Sequence, residues 1–394
     1  MAVNSSFNIL EPQAWTEVAR ELHYPMKPMM ARAATSVAGA NLEGYVANAF
    51  DTVKVPRPVR AAESEVADYN PAVDPTPTDP DVSEAVLSIN KHEISAFRIN
   101  KRDFKFTLVD LVRMYMPTYL DAHARKINAN LKAEARKFEA VFADLEGANA
   151  TVLDDADLRE ARRIMLGRKF VNSSNGFISV IDPDAEADLT GLSLFHQADQ
   201  YGARNVLLEG SMGRAMGFDF YVDNLGSTHT PAGVASAATN GGASEGDTSL
   251  TITVGGSTLV EGDAIYFDGA ASTDDFYVVD SVDGTTLTLK EPLRKDVATA
   301  TSILAVTGTS LKEEFFYNPD AIAMVTAGME SIPNTENVGI RRAIGFDPTN
   351  NMNYTLSMRP TIHGVDVFIE TLYGLKLFYP DYGARYVKGT NSKT

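Results

Sequence analysis

Among its 394 residues the chain has no cysteine, so disulfides and thiolate metal sites are excluded, which suits a cytosolic setting. It is also short of basic residues. Lys and Arg total 35 against 52 Asp and Glu, a net charge of −17. Nucleic-acid binding in the ordinary sense needs clustered Lys and Arg to neutralise phosphates, and a chain of this charge repels DNA and stays soluble. No apolar run approaches the length of a membrane span. The opening MAVNSSFNILEPQAW has neither the positive start nor the continuous apolar core of a secretory signal.

Signatures of chemistry are also missing. The histidines are His23, His92, His123, His196, His229 and His363. None has HExxH spacing, and none sits beside a pair of carboxylates. Asp182, Asp184, Glu186 and Asp188 alternate like a calcium loop. Its sixth position would be Ala187 instead of Gly, and its twelfth Ser193 instead of Glu. The run Gly210–Gly217 lacks the Lys-Ser/Thr ending of a phosphate loop. It also lacks the glycine two residues before Ser211 that a nucleophile elbow needs. No catalytic residue, cofactor or metal is assigned, and no enzyme is expected.

What is present is a long helical period. From Thr107 to Leu145 apolar residues recur at Val109, Val112, Met116, Leu120, Ile127, Leu131, Phe138, Val141 and Leu145, mostly three, four or seven apart. Thr107 and Asp110 form a capping box. Pro117 predicts a kink or fresh start. From Thr118 to Leu145 the pattern predicts an unbroken rod of roughly 42 Å.

Around this beam the chain changes character several times. Pro12–Leu22 reads as a short amphipathic helix carrying Trp15, Val18, Ala19 and Leu22. Met26, Met29 and Met30 follow as packing or contact residues. Residues 51–59 read as a strand ending in a proline pair. From Ala61 to Asn90 there are seven acidic residues, no Lys or Arg, and Pro71, Pro75, Pro77 and Pro80. Such a segment cannot bury enough apolar surface to fold alone. Strand chemistry returns from Glu84 to Ile99 with a phase slip near Asn90, so the two strands and the interval between them predict an extended hairpin. Asp154–Gly167 is a predicted helix, Phe177–Ile181 a strand stopped by Asp182-Pro183, and a further helix lies between Asp184 and Gln200. Phe218–Asp223 is a strand after the glycine-rich turn.

Residues 236–309 turn to Gly, Ser and short β-branched runs separated by turn signals, which predicts a small all-β module inserted into a mixed host domain. Asn318–Ile332 is expected to be helical and Thr355–Met358 a strand. Val365, Val367, Ile369, Thr371 and Tyr373 alternate onto one side, and the strand pattern runs on to Tyr379 after a phase break at Gly374. That is about 50 Å of extended chain, a ribbon long enough to lie along the beam.

The order of parts, together with Asp51-Thr-Val-Lys-Val-Pro-Arg-Pro58, Gly213-Arg-Ala-Met-Gly-Phe218 leading into Tyr221-Val-Asp-Asn224, and Asp366-Val-Phe-Ile-Glu-Thr-Leu-Tyr-Gly374, resembles the major capsid (coat) proteins of tailed bacteriophages, the Hong Kong 97 (HK-97) fold. Glu261-Gly-Asp263 and Glu291-Pro-Leu293 in the β module are similar to the inserted domain of short-tailed phage coat proteins. The resemblance implies an α+β fold with five parts. Residues 1–50 would be an N-terminal arm and 51–106 an extended β-hairpin loop. Residues 107–150 and 345–375 would form a peripheral domain with its spine helix. Residues 151–235, 310–344 and 376–394 would form a mixed axial domain, and 236–309 the inserted all-β domain. It implies hexamers and pentamers closing a virion shell in the bacterial cytoplasm, with scaffolding and portal proteins as partners. The shell would enclose double-stranded DNA without sequence-specific binding, with no membrane and no cofactor. Arg57 and Arg60 at the hairpin base, with Glu63 and Glu65, are the candidate inter-subunit contacts. The family's covalent Lys–Asn cross-link has no matching motif here, so closure is expected to be non-covalent. Two readings of other classes stay open: an extracellular or surface-layer binding protein with the β module as its head, and a hydrolase housed in the mixed domain.

Overall fold

A computed structural model describes residues 11–22, 24–33, 36–37, 40–41, 52–58, 82–143, 153–167, 176–192, 213–225, 227–229, 237–254, 259–267, 276–327 and 340–391. Pro12 opens helix α1 (Pro12–Arg20) and Pro28 opens α2 (Pro28–Arg32), positions where a missing N–H costs the helix nothing. Strands β1 (Ser36–Val37) and β2 (Ala40–Asn41) pair with each other. Then β3 (Thr52–Pro58) and β4 (Val82–Ser88) form an antiparallel ribbon from Thr52↔Ser88 to Pro58↔Val82. This is the stem of the expected hairpin. Its proline-rich tip lies outside the described residues. The phase slip at Asn90 is a boundary, because β5 (Lys91–Asn100) leaves the ribbon and pairs along its whole length with a different sheet.

Thr107 caps α3 (Leu108–Ala135), its hydroxyl accepting the Asp110 N–H. The reciprocal half of the box differs from expectation. The Asp110 carboxylate takes the Thr107 hydroxyl proton at 2.5 Å. α3 also passes through Pro117 without the restart the sequence suggests. The proline ring frees only the carbonyl of Arg113, an exposed residue whose backbone water can reach. The helix stops ten residues earlier than its apolar series implies. Phe138 follows the turn at Arg136 and Lys137, and Val141 lies in β6 (Ala140–Phe142), a strand buried on both faces. A fully buried strand and a helix face are indistinguishable over so short a run.

Next come α4 (Asp155–Gly167), β7 (Phe177–Ile181) and α5 (Pro183–Thr190), the last capped by Asp182 accepting the Ala185 N–H at 2.6 Å. A tight turn through Met216 and Gly217, both at positive φ, joins β8 (Arg214–Ala215) to β9 (Phe218–Val222). The remaining strands are β10 (Ser227–His229), β11 (Ala237–Thr239), β12 (Ser249–Val254), β13 (Ala264–Phe267), β14 (Tyr277–Asp283), β15 (Thr286–Leu289), β16 (Ser302–Tyr317), β17 (Ile322–Ala327), β18 (Arg341–Asp347), β19 (Met352–Thr361), β20 (Gly364–Leu377) and β21 (Gly383–Asn391). The expected helix over Asn318–Ile332 is therefore corrected. It is a 3-10 turn followed by β17, whose six residues are all buried.

Two large sheets result. In the first, β20 has β5 along one side and both β19 and β17 along the other, with β18 outside β19. No phase break occurs at Gly374, which pairs with Val325 inside one continuous strand. Val365, Val367, Ile369 and Tyr373 share an inner face with Phe97, Ile99, Leu356 and Met358. On that face they meet Val112, Met116, Leu120, Ile127 and Leu131 of α3. The second sheet is built on β16, which pairs with β11 and β13 near its start and with β7, β10 and β21 near its end. The stretch read as an inserted β module thus shares strand β16 with the mixed sheet.

Candidate functional site

Among the described residues, several buried or half-buried charged side chains gather where α3 meets its neighbours. Among the described residues, three junctions fasten the helix, or the sheet it packs on, to parts of the chain that are distant in sequence.

The first joins it to the N-terminal arm. Trp15, Met29 and Met30 are buried in the same core as α3, whereas Met26 is exposed. Lys27, itself buried, places its ammonium 3.1 Å from Asp121. Burial raises the pKa of Asp121, but Lys27 and Arg125 outweigh it and hold the carboxyl below its ordinary range. The Lys27 backbone N–H donates to Asn350 at 2.7 Å, which in turn donates to Asp347 at 2.8 Å, so the arm is also tied to the sheet.

The second junction is the hairpin base. Leu87 and Ile89 are buried, and Gly374 lets the ribbon's backbone close on β20, since a Cβ there would strike the Ser88 carbonyl. On the opposite face of the sheet from α3, Arg98 and Arg359 flank Asp366 at 2.6 and 2.9 Å. Hydrogen bonds from the two guanidiniums hold this carboxyl down at about 2. Both arginines are half exposed, so this row orients β5, β20 and β19 more than it stabilises them.

The third junction joins the C-terminal half of α3 to the β16 sheet through buried ions. Lys132 and Asn128 reach the same oxygen of Asp223 at 2.7 and 2.6 Å. Arg136 and Arg385 share Glu313, at 2.6 and 3.0 Å. Arg385 is fully buried and also donates to the Gly262 carbonyl at 2.6 Å. Next to it, His229 meets the fully buried Asp263 at 2.7 Å. Here spine, mixed sheet and the Glu261–Asp263 turn meet at one point. Beyond them, Lys312 lies 3.1 Å and Lys388 4.0 Å from Asp182, and Lys388 is 3.3 Å from Asp188. The Asp182–Asp188 run is therefore bound by lysines. Among the described residues, no group of three or more His, Asp or Glu could hold a metal ion.

Of the contacts expected from the sequence, Arg57 lies in β3 opposite Ser83. Arg60, Glu63 and Glu65 lie outside the described residues. Of the junction residues, Asp223 and Asp263 lie in stretches quoted above for the resemblance, though with no contact assigned to them, and Glu313 and Arg385 lie in none. Their one signal was charge inside apolar strand pattern, as in Leu311-Lys-Glu-Glu-Phe-Phe-Tyr317 and Ala384-Arg-Tyr-Val387.

No protein-family model matches the chain, and no curated protein does. Among solved structures it is similar to the capsid of cyanophage P-SCSP1u at 12% identity and TM-score 0.47, covering 88% of this chain and 85% of that one. It is also similar to the mature capsid of bacteriophage PhiM1 at 13% identity and TM-score 0.44, covering 88% of each. A structure from Mycobacterium phage Che8 matches at 13% identity and TM-score 0.43, over 85% of this chain and 84% of that one. No helix among the described residues is long and apolar enough to cross a membrane.

Proposed function

We propose that the chain is a structural shell subunit, the major capsid protein of a tailed phage with the HK-97 architecture. Hexamers and pentamers of it would close an icosahedral head around double-stranded DNA in the bacterial cytoplasm, aided by scaffolding and portal proteins. The observation that carries this reading is the contrast between a braced body and a ribbon that, among the described residues, meets that body at its base. α3 is bolted to the arm and to both sheets, whereas among the described residues β3 and β4 pair only with each other. A lone two-stranded ribbon is marginal in water. It gains its support by lying on a neighbouring subunit, which is what a tile in a shell provides.

Other features agree. The net charge of −17 suits a container that holds DNA without gripping it. Arg57, Arg60, Glu63 and Glu65 would make inter-subunit contacts at the ribbon. Residues 236–309 would be an accessory β domain whose removal must spare Ser302–Thr309, the first half of β16. Neither a hydrolase nor a surface-layer reading has a feature of comparable weight.

Negative-stain electron microscopy of the purified chain, alone and with a scaffolding protein, tests the proposal. Closed shells, open sheets or rings of five and six support it. A monodisperse monomer at high concentration under both conditions overturns it.

A further inference from the structure

On the face of α3 that meets the sheet, one residue interrupts the series Met116, Leu120, Ile127, Leu131, and it is His123. The residue is 3% exposed, and among the described residues neither Nδ1 nor Nε2 has a hydrogen-bond partner. A neutral imidazole always carries one N–H, so a donor is buried here without an acceptor, an arrangement that calls for a reason. The neighbourhood is polar. Phe97 of β5 stacks on Tyr119 with ring centroids 4.5 Å apart. One helical turn further lies His123, and two residues on each step back along the inner face of β5 lead through Ser95 to Glu93. Thr371, opposite Glu93 on β20, is fully buried, and its hydroxyl also lacks a partner. Tyr373 donates to Glu93 at 3.1 Å and accepts from Asn130 at 2.6 Å.

The charged groups around the ring are few. β5 contributes Glu93 and His92, and His92 is 3.5 Å from Glu370 of β20. β20 adds Tyr373. The arm offers Lys27, already 3.1 Å from Asp121, which also holds Arg125 on the outer side of the helix. Burial pushes the His123 ring below its ordinary pKa, and Glu93 opposes this only in part.

We propose that His123 is an acid-sensitive latch, whose protonation releases β5, the strand that carries the hairpin, from the spine helix. An imidazolium brings two N–H donors and a positive charge into a site where the carboxylate that favours it, Glu93, already accepts from Tyr373. Parting α3 from β5 lets water, or a reoriented Glu93, satisfy both donors. The ring's folded pKa lies below its unfolded value, so the open state binds more protons. The latch is fully held above pH ~6.5 and weakens as pH falls below that value, until the folded pKa is passed. Within that window the opening constant grows about tenfold per pH unit.

Hydrogen exchange on the full chain between pH 8 and pH 5, corrected for intrinsic rates, tests this and does not depend on shell formation. Peptides covering residues 91–100 and 116–131 are expected to lose protection below pH 6.5 relative to residues 312–317 and 383–388. The difference should vanish in His123→Leu. The same pH dependence in wild type and variant overturns the proposal. Should His123→Leu fail to fold, the wild-type ring decides. A histidine carbon resonance assigned to His123 by its absence in His123→Gln is expected to titrate below 6.5, and titration at or above 6.5 overturns the latch.

Discussion

Over its first half α3 meets the β20 sheet through Val112, Met116 and Leu120, side chains with no polar atom to satisfy. Over its last turns Asn128, Lys132 and Arg136 reach the buried carboxylates Asp223 and Glu313 on the β16 side. The difference separates two mechanical roles. Apolar burial is non-directional and tolerates small slides of a helix over a sheet. Buried charge-assisted bonds fix register, and losing one partner is costly. The helix is thus indexed against the β16 sheet and more free to adjust against the sheet that bears the hairpin. His123 lies between these two zones.

The comparison breaks most visibly at Glu313. Glu313→Leu removes the carboxylate shared by Arg136 and the buried Arg385. It is expected to cost about 3–5 kcal/mol in urea unfolding. Replacing all three, as Arg136→Met, Glu313→Leu and Arg385→Met, should restore stability or exceed wild type by about 1–4 kcal/mol. A triple variant as unstable as the single one would show that the contact with the Gly262 carbonyl matters more than charge balance. On the apolar half, Leu120→Ala should cost about 2–5 kcal/mol with no dependence on salt, because it leaves a cavity and not a charge. A salt-dependent loss would erase the distinction between the halves.

Glu314 sharpens the indexed side through pH. Burial first, and then the charge of Asp182, hold its carboxyl well above the ordinary range. A raised folded pKa means that the contribution of Glu314 is complete below the unfolded pKa of ~4.3 and is lost as pH rises through the folded value. Glu314→Gln keeps an oxygen acceptor for the Asp182 N–H, which Glu314 receives at 2.8 Å, and cannot ionise. Its stability relative to wild type should therefore climb with pH, by at most ~1.4 kcal/mol per pH unit within the window. A gap between the two proteins that stays constant from pH 5 to pH 9 would refute this. The smallest effect belongs to the cap. Thr107→Ala should cost about 1 kcal/mol, read as a shift in urea midpoint at unchanged slope.

Much of the framework was legible because it rests on local pattern. The alternation of Val365, Val367, Ile369, Thr371 and Tyr373 marked the inner face of β20, and the Thr107–Asp110 pair marked the start of α3. The end of α3 was not legible. Phe138 and Val141 continue the helical spacing, yet they are buried by Gly383, where Phe138 occupies the space of a Cβ, and by parallel pairing of β6 with β21. Those partners lie more than two hundred residues away. The β17 segment was misread for the same reason, since a continuous buried run carries no period. The ion-linked junctions were the least visible. A charge inside a strand announces a partner but not which one.

By itself the sequence determined where α3 starts, where strands such as β7, β9 and β20 run and where an acidic proline-rich interval falls, because propensity and period act over a few residues. It also determined that no cysteine chemistry is possible and that the surface is acidic. Only the tertiary structure decided that β16 runs unbroken from the β module into the mixed sheet. It alone set Arg385 against Glu313 and buried His123 with no hydrogen-bond partner among the described residues. Those facts depend on which distant segments share an interior, and burial of charge and loss of water at a site are properties of that shared interior, not of any local stretch of chain.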